Sequence, residues 1–118
     1  MATLANQGVA SQASFGQLGS AFIDDGGAYT VPSGKVVVAI TCLDDTTFTV
    51  LTPEATGDCF GLAASSGVGT NNEVVADNNV FPKGITIYGR WTAVTATASA
   101  TGGIIMYLGP AKSPIQTA

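Results

Sequence analysis

The chain has 118 residues, of which four are Lys or Arg and eight are Asp or Glu, so only 10% carry a charge where about 25% is usual for a soluble domain. A net charge of −4 provides no cationic face for phosphate groups, and nucleic acid is therefore excluded as an expected partner. Histidine, the commonest general base, is absent from the sequence. The longest apolar runs, 36–40 and 103–108, are far shorter than the ~18 residues of a membrane span. We therefore expect neither an enzyme nor a membrane protein, and a surface so poor in charge predicts contact with other protein chains.

The two cysteines, Cys42 and Cys59, allow two interpretations. The N-terminus lacks the cationic and apolar regions of a secretory signal, so we expect synthesis in a cytoplasm, where disulfides are rare. Cys42 ends an alternating apolar series, and Cys59 lies beside Phe60, as small core side chains would. We favour two reduced core thiols over one disulfide, and no cofactor or metal is predicted.

Residues 1–22 contain no charged side chain, and their large apolar residues follow neither a helical nor a strand period. One interpretation is an arm that lays these residues on another subunit; the other is a first strand of the same domain preceded by a short tail. The division we predict is an extended arm at 1–22, a β domain at 23–109 and a C-terminal tail at 110–118. The apolar residues of the arm are Leu4, Val9, Phe15, Leu18 and Phe22.

Between residues 29 and 51, turn signals alternate with strand-like runs. A short strand at 29–31 leads into a turn at 32–34, and a strand at 35–43 follows with apolar residues on both faces, as in a central strand. Strict alternation predicts one face formed by Val36, Val38 and Ile40 and the other by Val37, Ala39 and Leu43. A turn at 44–46 and a strand at 47–51 complete what we predict to be a hairpin.

Beyond residue 51, breakers predict a loop region at 52–72, with short strands expected around 59–62 and 73–76. The strongest strand signal is 85–95, where Gly89 indicates a bulge or a tight backbone contact. Alternation points Ile85, Ile87 and Trp91 one way and Tyr88, Arg90 and Val94 the other. A turn and a closing strand at 104–108 follow, and the fold class is all-β.

Few residues suggest a catalytic, metal-binding or ligand-binding role. The adjacent pairs Asp24-Asp25 and Asp44-Asp45 could be catalytic carboxylates or calcium ligands, but Asx turns account for them without either function. Trp91, Tyr88 and Tyr107 could form a platform that stacks on sugars; at strand spacing, core or interface anchors are favoured. Arg90, the lone arginine, lies mid-strand and needs a carboxylate or a carbonyl, which we expect a neighbouring subunit to supply; the alternative is a side chain extended to solvent.

A resemblance to a known family lies in four segments, 29–35, 43–48, 81–91 and 103–109. They include the turns Val31-Pro32-Ser33-Gly34-Lys35 and Phe81-Pro82-Lys83-Gly84. Together these segments resemble small structural proteins of tailed bacteriophages, of the cyanophage type. This resemblance covers turns and strands of residues 29–109 and includes no active-site motif. It implies an antiparallel β-sandwich or jelly-roll-like domain that sits on the virion, often as a trimer that cements neighbouring capsomers.

We therefore predict a capsid decoration or cement protein on the capsid surface, made in the host cytoplasm, with the major capsid protein and copies of itself as partners. The alternative is a tail or fibre appendage domain that binds a host receptor or glycan. The candidate interface residues are Leu4, Val9, Phe15, Leu18, Phe22, Arg90 and Trp91.

Overall fold

A computed structural model describes residues 18–62, 67–98 and 102–112, and these form strands without a helix. The strands are β1 (Ser20–Ile23), β2 (Ala28–Thr30), β3 (Lys35–Cys42), β4 (Thr46–Pro53), β5 (Thr86–Ala98) and β6 (Ile104–Pro110). The all-β prediction is confirmed, and the strands expected at 35–43, 47–51, 85–95 and 104–108 are present as β3 to β6. All strand pairs are antiparallel, and they belong to one sheet that curls into a half-barrel.

The sheet is organised around β5. Val94 pairs with β2 on one side and with β4 on the other, and Trp91 lies in the same way between β3 and β4. Because a strand has only two edges, β2 and β3 must follow one another along the same edge of β5, opposite β4. The other edge of β3 pairs with β6, and β6 pairs with β1, which ends the sheet.

The predicted hairpin between the strands at 35–43 and 47–51 is wrong, because β3 and β4 flank β5 and do not pair with each other. Thr86, at the start of β5, pairs with the end of β3, whereas Ala98, at its end, pairs with Thr46 of β4. A straight strand from 86 to 98 would span ~40 Å, yet the four steps from Cys42 to Thr46 can bridge at most ~14 Å. β5 must therefore bend strongly, and this bend produces the half-barrel.

An irregularity in β3 corrects the predicted faces of that strand. Against β6, Val37 pairs with Leu108 and Ala39 with Tyr107, so Val38 is an extra residue that interrupts the alternation of β3. Against β5 the extra residue lies on β5, between Tyr88 and Trp91. Val37, Ile40 and Cys42 consequently share the core, whereas strict alternation had placed Val37 opposite Ile40. The prediction that β3 is a central strand is confirmed, because it lies between β5 and β6, and every residue from Val36 to Ile40 is buried. The described strands form one sheet, so no second sheet covers the outer side of β3 in this part of the chain.

An irregularity in β5 likewise corrects the predicted faces of that strand. The register against β4 shifts where Thr52 pairs with Ala93 and Pro53 pairs with Trp91, which leaves Thr92 as an extra residue on β5. Val94, predicted to lie opposite Trp91, therefore lies with it in the core. The largest fully buried side chains are Trp91, Phe48, Ile40, Leu51, Ile104 and Met106.

The turns between strands match the sequence predictions, whereas two short strands predicted within the loops do not form. Both predicted Pro-x-Gly turns are present, with Lys35 N donating to Pro32 O at 3.2 Å and Ile85 N to Pro82 O at 3.4 Å. The strands expected around 59–62 and 73–76 are wrong. A single hydrogen bond from Val75 N to Gly61 O, at 2.9 Å, joins these two segments, and the breakers around them prevent a ladder.

Candidate functional site: the outer face of the sheet

Four neighbouring strands, β1, β6, β3 and β5, present an outer face on the side opposite the core. In each strand the residues that pack into or against the core alternate with others that must point away from it. The register aligns these outward residues in two rows across the strands. One row contains Phe22, Ile105, Thr41 and Thr86, and the other contains Ser20, Tyr107, Ala39 and Tyr88.

An open groove of about 220 Å³ lies on this outer face. Tyr107 and Tyr88 pair with Ala39 from its two sides, so their Cα atoms are ~10 Å apart, two strand spacings. The hydroxyls of Thr41 and Thr86, which also line the groove, hydrogen-bond to each other at 2.8 Å. The outer groove thus has two aromatic walls, a methyl floor and a paired hydroxyl at one end.

Charged groups are almost absent from the strands. Of the charged residues of the chain, only Lys35 and Arg90 lie in a strand; all the others lie in turns and loops. Lys35 is the first residue of β3, and its Nζ donates to Leu18 O at 2.9 Å. No charged residue belongs to the two outer rows, which are apolar or hydroxyl-bearing across four strands. Arg90 lies at their border, two residues beyond Tyr88 on β5, and its charge is paired with Glu54.

Arg90 is held by groups of its own chain. Its Nε donates to Glu54 Oε1 at 2.7 Å, and its guanidinium also donates to Pro110 O at 2.7 Å. The second oxygen of Glu54 accepts from Lys112 N at 2.7 Å, and Lys112 Nζ pairs with Asp58 at 2.6 Å. The expected carboxylate and carbonyl are therefore both present without a neighbouring subunit, and this network holds the end of β6 against the loop after β4.

The same network sets the acidity of Glu54. Burial by itself would raise the pKa of this carboxyl, but the hydrogen bonds from Arg90 and from Lys112 N, together with the two positive charges, outweigh burial and lower the pKa below its usual range. A lowered folded-state pKa stabilises the fold above the unfolded-state value of about 4.3, and this stabilisation is lost as the pH falls through the folded-state pKa.

We expect Glu54→Gln to lower the free energy of unfolding by about 1–2 kcal/mol at pH 7, because it removes a charge-assisted contact. The difference from the unmodified chain should shrink as the pH falls below about 4, since Glu54 then loses its own charge. Urea unfolding at pH 7 and pH 3 measures this difference in the free energy of unfolding. Glu73→Gln, at an exposed loop position, is the matched control. An equal difference at both pH values would contradict this assignment.

Trp91, a predicted interface residue and a candidate for the sugar platform, offers no surface for either purpose. Its side chain is 0% exposed, its Nε1 donates to Phe60 O at 2.9 Å, and its ring meets that of Phe60 edge to face at 5.5 Å. Of the three aromatics proposed for the platform, only Tyr88 and Tyr107 line the outer groove. Trp91 cannot join the two tyrosines because its side chain lies on the opposite side of β5 from that of Tyr88.

A second open groove, of about 350 Å³, lies beside the loop after β4, and Tyr88 lines this groove as well. Cys59 lines it but is 8% exposed, and Cys42 is fully buried; both thiols are free, as favoured from the sequence. Burial raises the pKa of each thiol, and the hydrogen bond between Cys42 and Thr46 and the one from Arg90 N to Cys59 Sγ oppose the rise. Both cysteines therefore remain protonated at neutral pH, as core thiols do.

The five candidate interface residues of the N-terminal arm fall partly outside and partly inside the described residues. Leu4, Val9 and Phe15 lie outside the described residues. Leu18 is half-buried and packs against the core, whereas Phe22 is 54% exposed in the outer face. Since residues 20–23 form β1, the alternative of a first strand of the same domain holds for this segment.

Of the two acidic pairs, Asp24-Asp25 contains the predicted Asx turn, whereas Asp44-Asp45 makes a contact between two turns that are distant in sequence. Asp25 Oδ1 accepts from Gly27 N at 2.9 Å, and Asp45 Oδ1 accepts from Lys83 N at 2.9 Å, which ties two turns together. In the part of the chain that the structure describes, no three His, Cys, Asp or Glu side chains come together as a metal site would require.

Sequence reasoning did not single out Ala39, Thr41 or Thr86 as site residues. No local signal marks them, because the outer groove depends on how three strands are registered. Glu54 was missed for a related reason: its partner Arg90 is 36 residues away.

Comparison with protein-family models, with curated proteins and with solved structures gives no match for this chain. A helix long and apolar enough to cross a membrane is not found among the described residues.

Proposed function

We propose that this protein is a virion structural protein, a capsid decoration or cement protein of a tailed bacteriophage that binds the major capsid protein and other copies of itself, as a trimer on the capsid surface. The observation that carries this proposal is the pair of outer rows across β1, β6, β3 and β5, which contain no charged residue. Phe22 and Tyr88 are 54% and 60% exposed there, although large apolar groups gain free energy when another surface covers them. The resemblance to phage structural proteins supports the same assignment.

The proposed mechanism is burial of surface. Each apolar contact contributes ~25 cal/mol per Å² removed from water, and a standard interface of ~1,600 Å², of which the outer face would form only a part, repeated around a shell would resist the outward pressure of packaged DNA. The charged groups would not oppose such contacts, since the strands hold only Lys35 and Arg90 and both have partners within the chain.

The N-terminal arm belongs to the same proposal. Its residues are uncharged, and it enters the sheet at β1, the strand that carries Phe22. An apolar segment laid over the outer face would add a second layer to the single curled sheet. The expected sandwich or jelly-roll-like arrangement would then be completed by assembly.

Binding to phage heads tests the proposal. Purified chain is added to heads, from the phage that encodes it, that were assembled without it; we expect co-sedimentation at a fixed copy number per head and a higher temperature of head disruption. Tyr88→Glu, which places a charge on the outer face, should reduce binding at least tenfold. Val80→Glu is the matched control, because Val80 is 59% exposed but lies in a loop outside the outer face. Absence of binding by the unmodified chain would refute the proposal.

A second candidate, a tail or fibre appendage domain that binds a glycan, is favoured by one observation. Tyr88 and Tyr107 flank the outer groove, and exposed aromatic rings can stack on sugar rings. This candidate predicts saturable binding to a host-surface polysaccharide that is lost in Tyr88→Ala and Tyr107→Ala, together with no affinity for heads.

A further inference from the structure

The outer face is too small to be covered by an equal face of a second copy. Four strands at ~4.8 Å and two rows of side chains give ~250 Å² of surface, well below the ~800 Å² per partner of a stable interface. A narrow occupant, such as one extended segment of chain, matches this size better than a broad protein surface does.

The chemistry of the outer groove favours an apolar side chain as the occupant. A sugar site needs several polar groups that converge on the ligand, whereas the polar side-chain groups of this lining are hydroxyls alone, and those of Thr41 and Thr86 already bond to each other. The walls are the rings of Tyr88 and Tyr107, and the floor is the methyl group of Ala39. An aromatic or aliphatic side chain placed between the rings would contact all three.

We infer that the N-terminal segment 1–17 of a second copy occupies the outer groove, with Phe15 as the side chain between the tyrosines. The segment is uncharged, so two chains of net charge −4 can meet there without adding like charges to the contact. It also carries the large apolar side chains Leu4, Val9 and Phe15.

The path of the chain at residue 18 favours a neighbouring copy over the same chain. Leu18 packs against the core, on the side of the sheet away from the outer groove, and Lys35 Nζ holds its carbonyl oxygen at 2.9 Å. The chain thus approaches β1 from the side opposite the groove. Phe15 is three residues before Leu18, so at most ~11 Å of extended chain separates their Cα atoms. This length is too short to turn around the edge of the sheet and then cross two strand spacings, ~10 Å, to the groove of the same chain, so the groove within reach is that of a copy placed beside β1.

An arm that binds the groove of the next copy is a head-to-tail contact. Such contacts form closed rings when the rotation between copies closes, and a trimer is one such ring. This inference rests on the proposed self-association and gives it a mechanism: the arm of each copy fills the groove of the next.

Photo-crosslinking in the full-length chain tests the inference. Chain carrying a benzophenone amino acid in place of Phe15 is mixed with unmodified chain labelled with heavy isotopes, irradiated, and digested for mass spectrometry. We expect crosslinks from light to heavy chain at peptides that contain Tyr88 or Tyr107. Tyr88→Glu in the heavy chain should reduce the yield at least tenfold, whereas Val80→Glu should leave it unchanged.

Three results would overturn the inference: crosslinks only within one chain, crosslinks confined to another surface, or no crosslink. Head binding is measured separately on the same preparation. Loss of the crosslink with retained head binding would refute the arm–groove contact alone, and loss of head binding would refute the proposed function.

Discussion

Replacing Trp91 by alanine is expected to lower the free energy of unfolding by about 3–5 kcal/mol, the largest effect of any single substitution considered for this chain. The indole is 0% exposed and lies where β5 passes between β3 and β4. Its removal would leave a cavity at the centre of the core and deprive Phe60 O of its indole donor, which leaves it with the weaker thiol donor of Cys59 at 3.3 Å. Since domains of this size are stable by only about 5–15 kcal/mol, the variant should be close to unfolding.

Urea unfolding followed by circular dichroism measures this effect without relying on the fluorescence of the single tryptophan. Trp91→Phe separates the effect of the cavity from the effect of the lost hydrogen bond, because it keeps an aromatic ring but removes the Nε1 donor. It should lower the free energy of unfolding by about 1–3 kcal/mol. Val68→Ala, at a loop position 69% exposed, is the control and should change stability by less than about 0.5 kcal/mol. Equal stability of Trp91→Ala and the control would contradict the placement of Trp91 in the core.

Gly89→Ala is expected to cost about 2–3 kcal/mol because the core has no room for a methyl group at this position. A Cβ on Gly89 would lie 2.5 Å from Trp91 Cζ2 and 2.6 Å from Cys59 Sγ. Neither group can move freely, since both side chains are buried. Of the two explanations that the sequence offered for Gly89, the bulge is present, because β5 has one residue more than β3 between Tyr88 and Trp91. The close contact is made by side chains of the core and not by backbone.

The matched control is Gly57→Ala, where a Cβ would meet nothing within 4 Å, and its effect should stay within about 0.5 kcal/mol. Adding Cys59→Ala to Gly89→Ala removes one of the two obstructing atoms and should recover part of the loss relative to the sum of the single substitutions. Strict additivity, or equal stability of the two glycine variants, would contradict the proposed overlap.

Features with local causes were predictable from the sequence. The strand at 85–95 is dense in β-branched and aromatic residues, and the turns at 32–34 and 82–84 have Pro and Gly where the turn geometry requires them. In both turns the glycine has a positive φ, 81° at Gly34 and 92° at Gly84, which other residues rarely adopt. Strand existence and turn position therefore followed from residue type alone.

Features with non-local causes were not predictable. The pairing of β3 and β4 with opposite edges of β5 depends on the bend of β5, which brings residues 86 and 98 towards one short turn. Each bulge reverses the alternation beyond it, and this misplaced Val37 and Val94. The candidate site was affected in the same way: Tyr88 and Tyr107 were recognised as aromatic candidates, but only the register places Ala39 between them.

Sedimentation equilibrium of the purified full-length chain tests the central claim most directly, namely that a chain with so few charges and so apolar an outer face associates with itself. We predict a mass of three times the 11.8 kDa chain, reduced towards that of one chain by Tyr88→Glu and unchanged by Val80→Glu. A single 11.8 kDa species at every concentration, up to millimolar, would contradict the account.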